Sequence, residues 1–184
     1  MPQQENINNL LDLNAQLPRT TVTALIKAVD QKPSRKNACM DKFEMEIVAP
    51  ESIPFEGQNV VVAGRPFNFY VNYSPAARRR SIMELRGKLN LEIGDVYTVP
   101  SEDEVRAGAY TTIPEIQELT KSIVGLGVEI EISTEPVYKT EPGTWDKYIL
   151  DEQGQKQVVS HRIVADVSQV KSPPRPLDGL GPAM

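Results

Sequence analysis

Apolar and polar positions alternate with period two in several stretches of the chain, and that alternation predicts its main elements. From Thr20, "TTVTALIKAV" is rich in β-branched residues and predicts a strand. "CMDKFEMEIVAP" sets Phe43, Met45 and Ile47 on one face and Lys42, Glu44 and Glu46 on the other. The loop "DQKPSRKN" joins these two, so they predict an antiparallel hairpin with one wet face. "ESIPFEGQ" predicts a turn and "NVVVAGR" a short strand. "PFNFYVNYS" alternates again, with Phe67, Phe69 and Val71 opposed to Asn68, Tyr70 and Asn72. "VEIEISTEPVYK" directs Val128, Ile130 and Ile132 inward and Glu129 and Glu131 outward. In the last strand, "QVVSHRIVADVSQV", Val159, Ile163, Ala165 and Val167 share the apolar face.

Two segments change period. From Pro75 to Leu91 the spacing of Ile82, Leu85 and Leu89 predicts a helix, although Gly87 weakens its interior. "IPEIQELTKSIVGLG" predicts a second, with Thr112 as cap, Pro114 in the first turn, Glu115 three residues on, and Gly125 and Gly127 at its end. The fold class expected is mainly β with two helices: five main antiparallel strands closed into an OB-fold-like β-barrel, with a helical insertion. An open α+β sheet is the alternative. Residues 1–19 are expected to form a flexible polar arm whose weak amphipathic element is "NINNLLDLNAQL", residues 20–171 the domain, and 172–184 a flexible proline-rich tail.

Composition narrows the classes. Of 184 residues, 40% are hydrophobic and 24% charged, with a net charge of -5, so any attraction for nucleic acid must come from local patches. No apolar run is long enough to span a membrane, and "MPQQENINNL" lacks the profile of a secretory signal. Cys39 is the only cysteine and His161 the only histidine, which excludes an internal disulfide framework and a Cys/His zinc site from this chain alone. A reducing cytoplasm is the expected location. No G-x-S-x-G, P-loop or H-E-x-x-H spacing occurs, so no enzyme, catalytic residue, metal or cofactor is expected.

"DQKPSRKNACMDKFEMEIVAP", followed by "VVVAGRPFNFYV" and the later "GLGVEIEI", resembles a family of bacteriophage single-stranded DNA-binding proteins, over roughly residues 20 to 170. The resemblance implies an OB-type barrel that binds single strands in DNA replication or recombination, within the bacterial host cytoplasm. Single-stranded DNA is then the expected partner, with replication or recombination proteins beside it and self-association left open. The better-known bacterial proteins of this function end in a strongly acidic peptide, whereas this chain ends "PLDGLGPAM" with the lone Asp178.

Single-strand binding combines cations along the phosphates with aromatic faces for the bases. The first clamp expected is Lys32, Arg35 and Lys36 in the early basic loop. The second is "VYKTEPGTWDKYILDEQGQK", which holds Trp145, the one tryptophan, with Tyr138, Lys139, Lys147, Tyr148 and Lys156. Tyr70 stands on the wet face between two asparagines. Arg78, Arg79 and Arg80 fall at a helix start, where positive charge opposes the macrodipole, so they meet either phosphate or the acidic Glu102, Asp103 and Glu104. The alternative function is an OB-like protein-interaction module that binds no nucleic acid.

Overall fold

In the computed structural model, the described residues are 12–13, 16–35, 38–94, 103 and 113–179. The strands are β1 (Asp12–Leu13), β2 (Thr20–Pro33), β3 (Cys39–Ala49), β4 (Ser52–Phe55), β5 (Gln58–Val61), β6 (Pro66–Asn72), β7 (Gly127–Tyr138) and β8 (Val158–Val164). Helices α1 (Arg78–Lys88) and α2 (Pro114–Ser122) lie between β6 and β7.

Five long strands and the two-residue β1 form one antiparallel sheet in the order β1-β8-β7-β2-β3-β6. The hydrophobic alternation dictates which face turns inward. Phe43, Met45 and Ile47 of β3, Phe67, Phe69 and Val71 of β6, and Val128, Ile130 and Ile132 of β7 are all buried. Phe43 and Phe69 are register partners and stack with centroids 4.5 Å apart and planes 10° from parallel. Ile82, Leu85 and Leu89 of the α1 region and Ile116 of α2 complete the same core. Gln31 of β2 anchors the start of α2: its amide donates to the Ile113 carbonyl at 3.1 Å and accepts from the Ile113 N–H at 2.8 Å.

The expected closure into a barrel is not made by a ladder of hydrogen bonds among the described residues. Instead, β6 and β8 face each other across a cavity of about 730 Å³ lined by residues of both.

Several expectations need correction. "ESIPFEGQ" is a hairpin: β4 pairs with β5 through Glu56 and Gly57, both at positive φ (49° and 77°), the conformation of a two-residue turn. Helix α1 is shorter than expected, and Gly127 opens β7 instead of ending α2. Val159 is exposed, and Val167 lies on a short 3-10 turn beyond β8. Leu17 is buried, and its N–H donates to Thr134 Oγ1 at 3.0 Å. Lys171, the last residue of the expected domain, donates its N–H to the Glu129 carbonyl at 2.7 Å, and Arg175 and Gly127 exchange bonds of 3.0 and 2.8 Å. Prolines 173 and 174 cost nothing there, since residues 171 and 175 supply the amides.

Candidate nucleic-acid interface

Three exposed aromatic rings, each with a cation over its face, lie on the wet side of the sheet and on the β7–β8 connection. Tyr70 is outward on β6 because its neighbours Phe69 and Val71 occupy the core. The Lys32 ammonium stands 5.4 Å from its ring centroid. Lys32 belongs to β2, not to the loop where the sequence suggested it, because β2 runs on to Pro33. Arg35, in the β2–β3 turn, stacks its guanidinium 3.9 Å from the centroid of Trp145. This contact joins the two expected clamps.

Trp145 is 65% exposed, which decides against burial beneath its loop. That connection is itself folded. Thr140 bridges to Tyr148 and Leu150 to Lys156, with Gly143 and Gly154 at positive φ in the turns. The Asp151 carboxylate accepts the N–H groups of Gln153 and Gln155 at 2.9 and 2.8 Å, so this acidic residue serves the second turn. Tyr138 and Tyr148 meet edge to face at 5.8 Å. The Lys156 ammonium lies 3.8 Å from the Tyr148 centroid and 5.3 Å from that of Tyr138. Lys139 and Lys147 are exposed on the same connection.

A cavity of about 720 Å³ opens beside these groups, lined in part by Lys32, Arg35, Met40, Tyr70, Asn72 and Arg162. Arg162 is a cation that sequence reading missed. It lies on β8 and pairs with Glu135 across the β7–β8 ladder. Only the strand order brings it beside Tyr70, and local pattern carries no signal of strand order. Asn72 is partly committed, as its side-chain oxygen accepts the Ser74 N–H at 2.8 Å.

The acidic residues that could repel phosphate have definite places. Glu44 is on Tyr70's side of the sheet, where it pairs with Lys42 at 2.8 Å, the residue opposite Tyr70. That bond is the main reason the Lys42 ammonium titrates above its usual range. Glu46 pairs with Lys27 at 3.1 Å, and Glu129 and Glu131 face Thr23 and Thr21, at the other end of β2 from Lys32.

The arginine run stands apart. None of Arg78, Arg79 and Arg80 lines either cavity. Arg80 bonds Glu84 one turn on at 3.0 Å, and this pair, with Asp166 nearby, holds its guanidinium above its usual range. Lys36, Glu102 and Glu104 lie outside the described residues, and Asp103 is exposed. Helix α1 has no acidic residue in its first turn and no side-chain cap, so Arg78 and Arg79 meet the macrodipole with no acidic residue of that turn to offset them. Arg79→Gln is therefore expected to raise stability by about 0.3–1 kcal/mol, seen as a higher urea midpoint, and to leave single-strand affinity unchanged.

His161 is half-buried with its Nδ1 unpartnered among the described residues, and Cys39 is fully buried. No group of three or more His, Cys, Asp or Glu among the described residues could hold a metal ion. No described helix is long and apolar enough to cross a membrane. Set against known proteins, the sequence matches no family model and no curated protein.

Proposed function

We propose that the protein binds single-stranded DNA with little sequence preference, on an OB-type barrel, in the manner of the phage proteins its sequence resembles, and serves replication or recombination. One observation carries this reading: the pairing of exposed aromatic faces with cations at Tyr70, Trp145 and Tyr148. A single strand is a ligand of two parts, flat bases and a regular anionic backbone. Stacking serves any base, and Lys or Arg beside each ring serves the adjoining phosphate. Exposed rings without a ligand leave apolar surface in water, and recognition is the common reason for such a patch. The strand order supports the OB reading. Among the five long strands the first pairs with the second and fourth, and the third and fifth form the facing edges. The first-to-second and fourth-to-fifth connections meet at Arg35 and Trp145, as the clamps of that fold require.

Trp145 provides the test. Its emission is expected to fall when oligo-dT is added, because a stacked base quenches indole. Trp145→Ala is expected to weaken binding by about 1–3 kcal/mol without changing the melting temperature. Unchanged emission at saturating oligonucleotide removes Trp145 from the interface.

A further inference from the structure

No described acidic residue lines the cavity of about 720 Å³ beside Tyr70. Strand register lays out its floor. Lys32 of β2 lies opposite Met40 of β3, and Met40 lies opposite Asn72 of β6, so the three form one row across the wet face. Tyr70 stands beside that row, two residues before Asn72 on the same face of β6. At about 4.8 Å per strand spacing, the backbone positions of Lys32 and Asn72 are about 10 Å apart. That is comparable to the reach of one nucleotide from its phosphate to the far edge of its base. Charge stands at one end of the row: Lys32 and Arg35 form no ion pair among the described residues. Asn72 stands at the other, with its amide orientation fixed. Its Oδ1 accepts the Ser74 N–H at 2.8 Å, and the reversed amide would set donor against donor. No bond from its Nδ2 is made among the described residues, which leaves two N–H donors for a ligand.

We propose, resting on the single-strand reading above, that this cavity takes one nucleotide of the strand and selects its base. The bases favoured are thymine and guanine, which carry a carbonyl on the edge away from the sugar. Those disfavoured are cytosine and adenine, which carry an amino group there. Tyr70 stacks a base of any kind, Met40 gives it an apolar floor, and Lys32 and Arg35 attract its phosphate. Asn72 alone responds to the base edge. Toward a carbonyl its amide N–H makes a hydrogen bond. Toward an amino group it meets another donor, and both are left without a partner. Unstacked bases of single strands are commonly told apart by hydrogen bonds of this kind to their edges. Confined to one nucleotide among those bound, the selection is modest and leaves the protein able to coat any strand.

Titrations of the full-length chain with oligo-dT and oligo-dC of equal length test this. A homopolymer puts the same base in the cavity whatever the register of binding, and the two pyrimidines share a ring size. Oligo-dT is expected to bind wild type about fivefold more tightly. Asn72→Asp keeps the side-chain shape and the acceptor for Ser74, but exchanges the amide N–H donors for a second acceptor. Its added charge weakens both oligonucleotides alike, so the ratio of the two affinities reads the base edge. That ratio should fall to one or reverse in favour of oligo-dC, with the melting temperature near that of wild type. The same ratio in variant and wild type overturns the proposal, because the preference then arises elsewhere. Equal affinity of wild type for the two oligonucleotides overturns it without recourse to a variant. Either result leaves the single-strand reading standing, whereas binding of neither oligonucleotide removes that reading and the base selection together.

Discussion

Replacing Phe43 by alanine is expected to cost about 3–5 kcal/mol, the largest loss of stability from any single change considered. The ring is fully buried at the centre of β3 and stacked on Phe69 of the next strand. Its removal loses transfer free energy, leaves a cavity that β2, β3 and β6 cannot close, and strips Phe69 of its partner. The urea midpoint should fall with an unchanged slope. Tyr70→Ala is the matched control. Tyr70 is the next residue after Phe69, on the opposite face and 46% exposed, and its loss should move stability by no more than about 0.5 kcal/mol. The same substitution should weaken single-strand binding. One strand then yields a core mutant and an interface mutant from adjacent positions.

The second large effect depends on pH. Asp41 is fully buried on the inward face of β3, between Cys39 and Phe43. Its Oδ2 accepts the Tyr73 hydroxyl at 2.5 Å, while Oδ1 has no partner among the described residues. Burial pushes its carboxyl up from 3.8 to about 6, against the opposing effect of the Tyr73 hydroxyl and of the Gln31 amide nearby. Between those values the folded chain keeps a proton that the unfolded chain has lost. The stability that Asp41 contributes is therefore full below about pH 4 and is lost as pH rises through about 6. The gap corresponds to about 3 kcal/mol. Asp41→Asn keeps an acceptor for Tyr73 and carries no charge. Its stability relative to wild type should be level at pH 4 and higher by as much as about 3 kcal/mol at pH 8. A difference that stays constant across that range would show that Asp41 is not forced to ionise inside the fold.

Both positions show what the sequence makes legible. The faces of β3, β6 and β7 could be read because a sheet with one buried side imposes strict alternation, and Phe43, Phe69 and Ile130 obey it. Asp41 sits in that same alternation, yet a carboxylate is normally assigned to water, and only the buried Tyr73 beside it accounts for its place. Pro54 concealed β4, although Glu56-Gly57 is a hairpin turn once the strands around it are known. The proline content of the tail gives no sign of the bonds that Arg175 exchanges with Gly127, since composition does not register one well-placed residue. In the candidate site the aromatic residues were legible, since Tyr70 and Trp145 stand among polar neighbours. The partners were not. Arg35 over Trp145 and Arg162 beside Tyr70 join residues far apart in sequence, and only the order of strands brings them together.

Titration of labelled oligo-dT at several salt concentrations tests the central claim most directly. Lys32, Arg35 and Lys156 each stand over an aromatic ring, where a base stacked on that ring would bring its phosphate within reach. Three such contacts on a single strand predict that log affinity falls against log salt with a slope of about -2. Arg35→Gln with Lys156→Gln should flatten that slope by about 1.4 while leaving the melting temperature near that of wild type. Absence of binding at low ionic strength, or binding indifferent to salt in the wild-type protein, would contradict a role in coating single strands and leave the aromatic surface to a protein partner.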